Sequence, residues 1–459
     1  MATSVVLFTR DLRLRDNSPL RAAQDTADAV VPLFVQDDAI RAAGYAVPNR
    51  RAFLADCLAD LDRQLRERGA RLIVRTGDVV EQVCRVAQEA DAHEVHMSAD
   101  VSAYADRREE KLSSALAAAG RRLCVHDRMV TAVAPGEITP AGKDHMAVFT
   151  PYFRRWEKAR QRPPHGAPAR IIAVKGVATE KLPSRRRIDG VSPGLPTGGE
   201  TTGRKQFAEW RRTGMDAYAD HHDDLAGDAT SRLSPHLHFG TLSPVELVAR
   251  AREQGGIGAE AFVRQLAWRD FHHQVLAARP QAARVDYRTH RDRWRTTEEA
   301  GEEIDAWKQG RTGYPVIDAA MRQLRHEGWM HNRGRLLVAS FLAKTLYVDW
   351  RVGARHFLDL LVDGDIANNQ MNWQWVAGTG TDTRPNRVLN PLVQARKYDP
   401  EGDYVRRWVP ELAHVEGRSV HEPWKLSGPD GKKRAAPDYP EPIVDLAAAS
   451  DRFRRARGK

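Results

Sequence analysis

The residues best placed to do chemistry lie in the second half of the chain. Thr230-Ser231-Arg232-Leu233-Ser234 sets three hydroxyls and a guanidinium around one turn, shortly before a helix start at Ser243. Such a turn can cradle a pyrophosphate with backbone N–H groups and hydroxyls, and it can equally serve as a simple turn or cap. Asp363-Gly364-Asp365 places two carboxylates across a flexible glycine, able to accept hydrogen bonds from a ribose or heterocycle, or merely to cap a helix. No Ser/His/Asp arrangement, HExxH, Walker loop or GxGxxG is found, and the 17 histidines show no metal-ligand spacing. Hydrolytic chemistry is therefore unsupported and no metal is expected. A large planar, phosphate-bearing ligand suits these segments better.

The elements that must hold such segments differ between the two ends of the chain. The first part alternates short β-branched runs (Ser4–Phe8, Ala29–Val35, Arg71–Val74, Glu94–Met97 and Leu123–Val125) with amphipathic helical patterns, which predicts a doubly wound parallel sheet. Phe53, Leu54, Cys57, Leu58, Leu61 and Leu65 make one helical stripe ended by Gly69, and Asp78 with Glu81 reads as a capping box. From 131 to 205 the periodicity fades into Pro- and Gly-bearing sequence, read as a connection. Beyond 206 helix follows helix, with Ser243-Pro244-Val245-Glu246 as a capped start. The expected domains are thus 1–130 (α/β), 131–205 (linker) and 206–459 (all-α).

Bulk properties fit a globular chain: 459 residues, 42% hydrophobic and 29% charged. A formal charge of +10 favours a polyanionic partner. Cys57, Cys84 and Cys124 are widely spaced and offer no disulfide framework. With no secretory or membrane-spanning run, a cytoplasmic location is expected. Ten of the 11 tryptophans lie beyond 206. Any one of them is best read as core filling, but the asymmetry predicts different tasks for the two parts.

Several separated segments, in order, resemble the photolyase/cryptochrome family, most closely the class I members that act on cyclobutane pyrimidine dimers. They are Phe8 to Asn17, Thr230 to Ser234 with His238-Phe239-Gly240, Trp268-Arg269-Asp270-Phe271, Thr312 to Arg322, Trp329-Met330-His331-Asn332-Arg333, Asp363-Gly364-Asp365 running to Trp373-Gln374-Trp375, His421-Glu422-Pro423-Trp424, and Asp438-Tyr439-Pro440. The resemblance covers nearly the whole chain. It implies FAD in the helical domain, with Tyr218 and Thr230, Ser231, Arg232, Leu233 and Ser234 at its phosphates, and Phe262 at a position that bears Trp in the family. It further implies Asp363, Gly364 and Asp365 at the ribose and flavin, Arg335 paired with a carboxylate there, and Asn369 facing flavin N5. Trp373, Trp350 and Trp294 match the family's electron-carrying tryptophans.

The implied activity is light-driven repair of cyclobutane pyrimidine dimers by an electron from excited reduced FAD, that is, a deoxyribodipyrimidine photo-lyase working on damaged DNA. The lesion is turned out of the duplex and stacks on Trp268. Gln265, Arg269, Asn332 and Gln394 would read it, with Arg384, Arg387, Arg396 and Lys397 as phosphate contacts. Gln265 departs from the Glu usual in enzymes that act on cyclobutane dimers. Enzymes of (6-4) photoproducts resemble the chain in having Gln there, but they carry two histidines where Asn332 and Leu336 stand, so cyclobutane dimers are the expected substrate. A cryptochrome-like photoreceptor is the alternative from another class. An antenna pigment is expected in the first domain, 8-hydroxy-deazaflavin in preference to methenyltetrahydrofolate, because Val101 to Arg108 resembles deazaflavin-type members. A monomer without an obligate protein partner or membrane contact is expected.

Overall fold

Five β-branched runs become five parallel strands: β1 (Thr3–Phe8), β2 (Ala29–Asp37), β3 (Ile73–Gly77), β4 (Glu94–Ser98) and β5 (Arg122–His126). The computed structural model describes residues 2–290, 292–427 and 436–458. The strand order is β3-β2-β1-β4-β5, every pair parallel, so the winding reverses between β1 and β4. The crossovers carry α1 (Ser18–Thr26), α2 (Asp38–Ala42), α3 (Pro48–Arg66), α4 (Val79–Glu89) and α5 (Ala103–Ala118). Val5, Leu7, Val31, Leu33, Val83, Val95 and Leu112 share one buried core, as expected where helices cover a parallel sheet. Asp78 caps α4 through the Val80 and Glu81 N–H groups, and the predicted α3 stripe is buried except for half-buried Leu54.

The remaining helices are α6 (Phe149–Trp156), α7 (Glu200–Thr213), α8 (Tyr218–His221), α9 (Ser234–Phe239), α10 (Pro244–Gln254), α11 (Gly256–Ala278), α12 (Thr297–Gln309), α13 (Pro315–Glu327), α14 (Asn332–Ser340), α15 (Trp350–Leu360), α16 (Ile366–Ala377), α17 (Pro391–Tyr398), α18 (Asp403–Trp408) and α19 (Leu446–Ala456). The chain is thus an α/β doubly wound parallel sheet followed by helices. Ser243 and Pro244 start α10 as the pattern predicts, with the Ser243 hydroxyl accepting from the Glu246 N–H. The Glu246 carboxylate turns instead to Arg15 and Arg204.

Two compact units emerge: Met1–Val191 with Pro196–Ala219 and Ser231–Pro280, and Ser192–Leu195 with Asp220–Thr230 and Gln281–Lys459. Helices α9, α10 and α11 therefore pack in the unit that contains the sheet. The reason lies in tertiary contacts the pattern along the chain does not display. Gly240 adopts φ +67°, and a side chain there would meet the Arg10 carbonyl oxygen at 1.8 Å. Buried Asp270 on α11 accepts from the Ala132 and Val133 N–H groups and the Trp156 indole. The stretch expected as a connection also contributes a helix: Phe149, Tyr152 and Trp156 of α6 are buried. The second unit has its own core, in which Trp307, Trp350, Phe357 and Trp373 join Met321, Leu337 and Leu342.

Candidate flavin and antenna sites

Helix α16 builds the chemistry of the second unit. Asp365 is its N-cap, accepting from the Asn368 N–H at 2.9 Å. Asn369 and Trp373 follow at successive four-residue steps, so cap, amide and indole fall on one stripe of the helix. Just before the cap, buried Asp363 takes an Arg335 hydrogen bond on Oδ2 at 2.8 Å, while Arg335 Nε donates to the Met330 carbonyl at 2.8 Å. Asp363 Oδ1 is buried without a partner, as are Thr230 Oγ1 and Trp373 Nε1. A buried polar atom left unpaired costs roughly 1–3 kcal/mol, and two of these, on the expected ligand residues Asp363 and Thr230, point to a polar group that completes them. The donors and acceptors present fit FAD. Asn369 Nδ2 donates to the Ala354 carbonyl at 3.0 Å and to Gln370 Oε1 at 2.9 Å, which leaves Oδ1 as the atom it can offer a ligand.

The expected tryptophans each have a distinct setting. Trp373 is buried and packs edge-on to Trp307 (ring centroids 6.1 Å) and Phe357 (5.0 Å). It fits only because residue 353 is glycine: a Cβ there would come within 2.1 Å of the indole. Trp350 is fully buried, its N–H held by Asp286 at 2.9 Å. Half-buried Trp294 lies 5.0 Å from Tyr347, whose hydroxyl burial pushes up to about 12. Trp307 and Tyr347 are aromatic neighbours that the sequence reading did not single out; no local spacing marks them, because α12 and the loop before α15 reach these positions only on packing.

In the first unit, Tyr218 and Phe262 come together with Trp210, the Trp210–Phe262 centroids lying 4.9 Å apart and Trp210–Tyr218 5.3 Å. In the turn beside them in sequence, Arg232 takes φ +50°, a left-handed conformation that a non-glycine residue holds at a cost and that recurs at ligand sites. Gln206 steadies the turn by donating to the Ser231 carbonyl at 2.8 Å. Leu233 is buried and Ser234 opens α9.

Helix α11 carries Gln265, Trp268 and Arg269. Trp268 stacks on Phe149 with centroids 3.6 Å apart and planes 8° from parallel, so one indole face is covered. Phe149 could have been found from the apolar positions 149, 152, 153 and 156, a helical stripe inside the expected connection. Arg269 donates to the Val130 and Leu237 carbonyls; these bonds brace α11 rather than display the guanidinium as a reader of bases. In the second unit Asn332 is exposed at the start of α14, and Gln394 on α17 is buried with Oε1 unpartnered. Arg384 and Arg387 are exposed on the α16–α17 loop, and Arg396 and Lys397 on α17, where Arg396 pairs with Glu422. That loop is pinned by a residue the sequence reading missed: buried Lys344 Nζ donates to the Pro385 and Arg387 carbonyls at 2.9 and 2.7 Å. Burial pulls this amine down to about 7.

A further polar cluster sits where the winding of the sheet reverses, the usual ligand position in open α/β sheets. After β1, Arg10 meets Asp100, which follows β4, at 3.1 Å; Ser98 bonds Asp11. Burial alone would raise the Asp100 carboxyl, yet Arg10 and the Val101 N–H bring it below its usual value. On α5 the Arg108 guanidinium lies 5.7 Å from the Tyr104 ring centroid. Arg108 Nε and Nη2, Tyr104 OH and Glu109 Oε1 are buried without a hydrogen bond, Arg108 Nη2 and Glu109 Oε1 facing each other only as a 4.0 Å ion pair, and burial pushes Glu109 up to about 7.

Comparison with known proteins agrees with this geometry. Residues 4–169 match DNA photolyase, and residues 262–459 match the FAD binding domain of DNA photolyase. A deoxyribodipyrimidine photo-lyase of Streptomyces griseus is 64% identical over 100% of both chains, and one of Halobacterium salinarum is 38% identical over 98% of both. The chain therefore belongs to the DNA photolyase family, as an enzyme of the deoxyribodipyrimidine photo-lyase class. Among solved structures, a class III photolyase from Agrobacterium tumefaciens superposes with TM-score 0.91 at 31% identity, covering 100% of this chain and 97% of that one. A Synechocystis cryptochrome gives 0.90 at 30%, covering 99% of each. Among the described residues no helix is long and apolar enough to cross a membrane.

Proposed function

We propose that the chain repairs cyclobutane pyrimidine dimers in DNA by light-driven electron transfer. The observation that carries this is Asp363, just before α16, with one oxygen paired to Arg335 and the other unmet, ahead of the stripe of Asp365, Asn369 and Trp373. FAD, when bound, reduced and excited, supplies the electron that opens the cyclobutane ring and receives it back. Asp363, Gly364 and Asp365 hold the ribose and flavin side; Tyr218, Phe262 and Thr230 to Ser234 hold the phosphate side. Because both Asn369 amide hydrogens are engaged, its Oδ1 would be the atom to face the flavin. Trp373, Trp350 and Trp294, as oxidisable indoles, would supply electrons to it.

Trp268, backed on one face by Phe149, offers its other face to the extruded lesion, with unstacking least costly at a damaged step. Gln265, Asn332 and Gln394 bond the lesion's polar edges, and Arg269 keeps α11 in place. Arg384, Arg387, Arg396 and Lys397 meet phosphates, which positions the duplex without reading sequence. The Arg10, Asp100, Tyr104, Arg108 and Glu109 cluster takes the antenna pigment, 8-hydroxy-deazaflavin in preference to methenyltetrahydrofolate, since a hydroxylated tricycle would meet a guanidinium, phenol and carboxyl with hydrogen-bonding atoms to spare. The enzyme works in the cytoplasm as a monomer.

The test is to expose reduced protein and a thymine-dimer oligonucleotide to blue light, with a dark control. Light-dependent loss of the dimer is expected. Capture of the oligonucleotide without loss would instead support a photoreceptor, the reading kept in view by Gln265 and by the likeness to the Synechocystis cryptochrome.

A further inference from the structure

Strands β4 and β5 bring together a set of side chains that repair does not use. In the parallel register His96 stands opposite Cys124, Glu94 opposite Arg122, and Ser98 opposite His126. Residues two apart on a strand share a face, so Glu94, His96, Cys124 and His126 surround the His96–Cys124 rung on one side of the sheet. Ligand atoms of Glu94, His96 and Cys124 all lie within 4.8 Å of one another. His96 Nδ1 is 3.1 Å from His126 Nε2, and His96 Nε2 is 3.1 Å from Glu94 Oε2.

We propose that Glu94, His96 and Cys124, with His126 adjoining, form a binding site for a zinc-class divalent cation that clips the edge strand β5 to β4. One carboxylate, one thiolate and imidazole nitrogen make the mixed O, S and N set that borderline-soft cations of this class prefer. Bonds of about 2.0–2.3 Å hold tetrahedral ligand atoms roughly 3.3–3.8 Å apart, so a closure of ~1 Å by side-chain rotation suffices. An imidazole binds metal in its neutral form through a ring nitrogen. The thiolate and carboxylate together balance a dication, the Cys124 proton leaving to solvent as the bond to sulfur forms.

Glu94 is held meanwhile by Arg122 and by Thr26 at 3.1 Å. The Arg122 side chain is 70% exposed, and an exposed pair of this kind adds little, so Arg122 can swing into water. The site could not be read along the chain, because its ligands are 30 residues apart (94 and 124) and meet only through strand register.

Calorimetric titration of the full-length, flavin-bearing protein with ZnCl2, after chelator treatment, tests the assignment. One Zn2+ per chain is expected, with affinity at least tenfold weaker in Cys124→Ser and in His96→Gln and unchanged in Cys84→Ser on α4. Co2+ should give a thiolate charge-transfer band that Cys124→Ser abolishes. Absence of one-to-one Zn2+ binding, or equal affinity in the wild type and Cys124→Ser, overturns the proposal. Should His96→Gln fail to fold, Cys124→Ser and the half-buried His126→Asn decide the matter by the same readout.

Discussion

The two units leave different polar groups unmet, and on the proposed reading the difference would separate a light-gathering role from a chemical one. In the first, they include atoms of Tyr104, Arg108 and Glu109 that make no hydrogen bond, Arg108 and Glu109 meeting only as a 4.0 Å ion pair, with the Glu109 carboxyl pushed up to about 7 by burial. In the second, they include Asp363 Oδ1, Thr230 Oγ1 and Trp373 Nε1. An ion pair fixed on one Asp363 oxygen directs the other with little freedom.

The contrast can be broken most forcefully at Asp363. Replacing it with Ala strands Arg335 in a partly buried position; a loss of ~3 kcal/mol in stability is expected, with flavin retention on gel filtration falling about a hundredfold and the antenna absorbance surviving. If the flavin stays bound and the pigment is lost, the assignment of the two sites is reversed. Next comes Gly353→Ala, whose methyl would meet the Trp373 indole. Overpacking of ~2 kcal/mol is expected in denaturant unfolding, with slower photoreduction of the flavin and unchanged pigment binding. Trp268→Ala is expected to weaken lesion-DNA capture by ~1–3 kcal/mol in a gel-shift titration while bound flavin remains intact.

The smallest effects lie in opposite pH slopes. Glu109 has a folded value near 7, above its unfolded 4.5, so the folded state holds the extra proton. Its contribution to stability is then complete below about pH 4.5 and is lost as pH rises to about 7. Lys344 has a folded value near 7, below its unfolded 10.5, so the unfolded state holds the extra proton and stability rises with pH between about 7 and 10.5. Urea midpoints across this range should lose the first slope in Glu109→Gln and the second in Lys344→Met, each by ~1 kcal/mol after solvent screening.

Much of this was legible in the residues. Alternating β-branched runs specify strands wherever helices cover both faces, and the strands fall within three residues of where the pattern puts them. Ser243 and Asp78 marked helix starts because a cap is a local bond between near neighbours. Asp363 and Asp365 were visible as a carboxylate pair across a glycine, whereas Asn369 came only through the resemblance.

What the sequence by itself determined is therefore whatever depends on near neighbours: strand and helix identity, caps, and through resemblance the family with the residues it implies. Only the tertiary structure decided which groups meet across long separations. It set α9 to α11 beside the sheet through Gly240 and Asp270, laid Phe149 under Trp268, engaged Arg269 with two carbonyls, clamped the α16–α17 loop with Lys344, and faced His96 with Cys124. Such meetings depend on register and packing, which are properties of the whole chain folding at once, and no window of local sequence contains them.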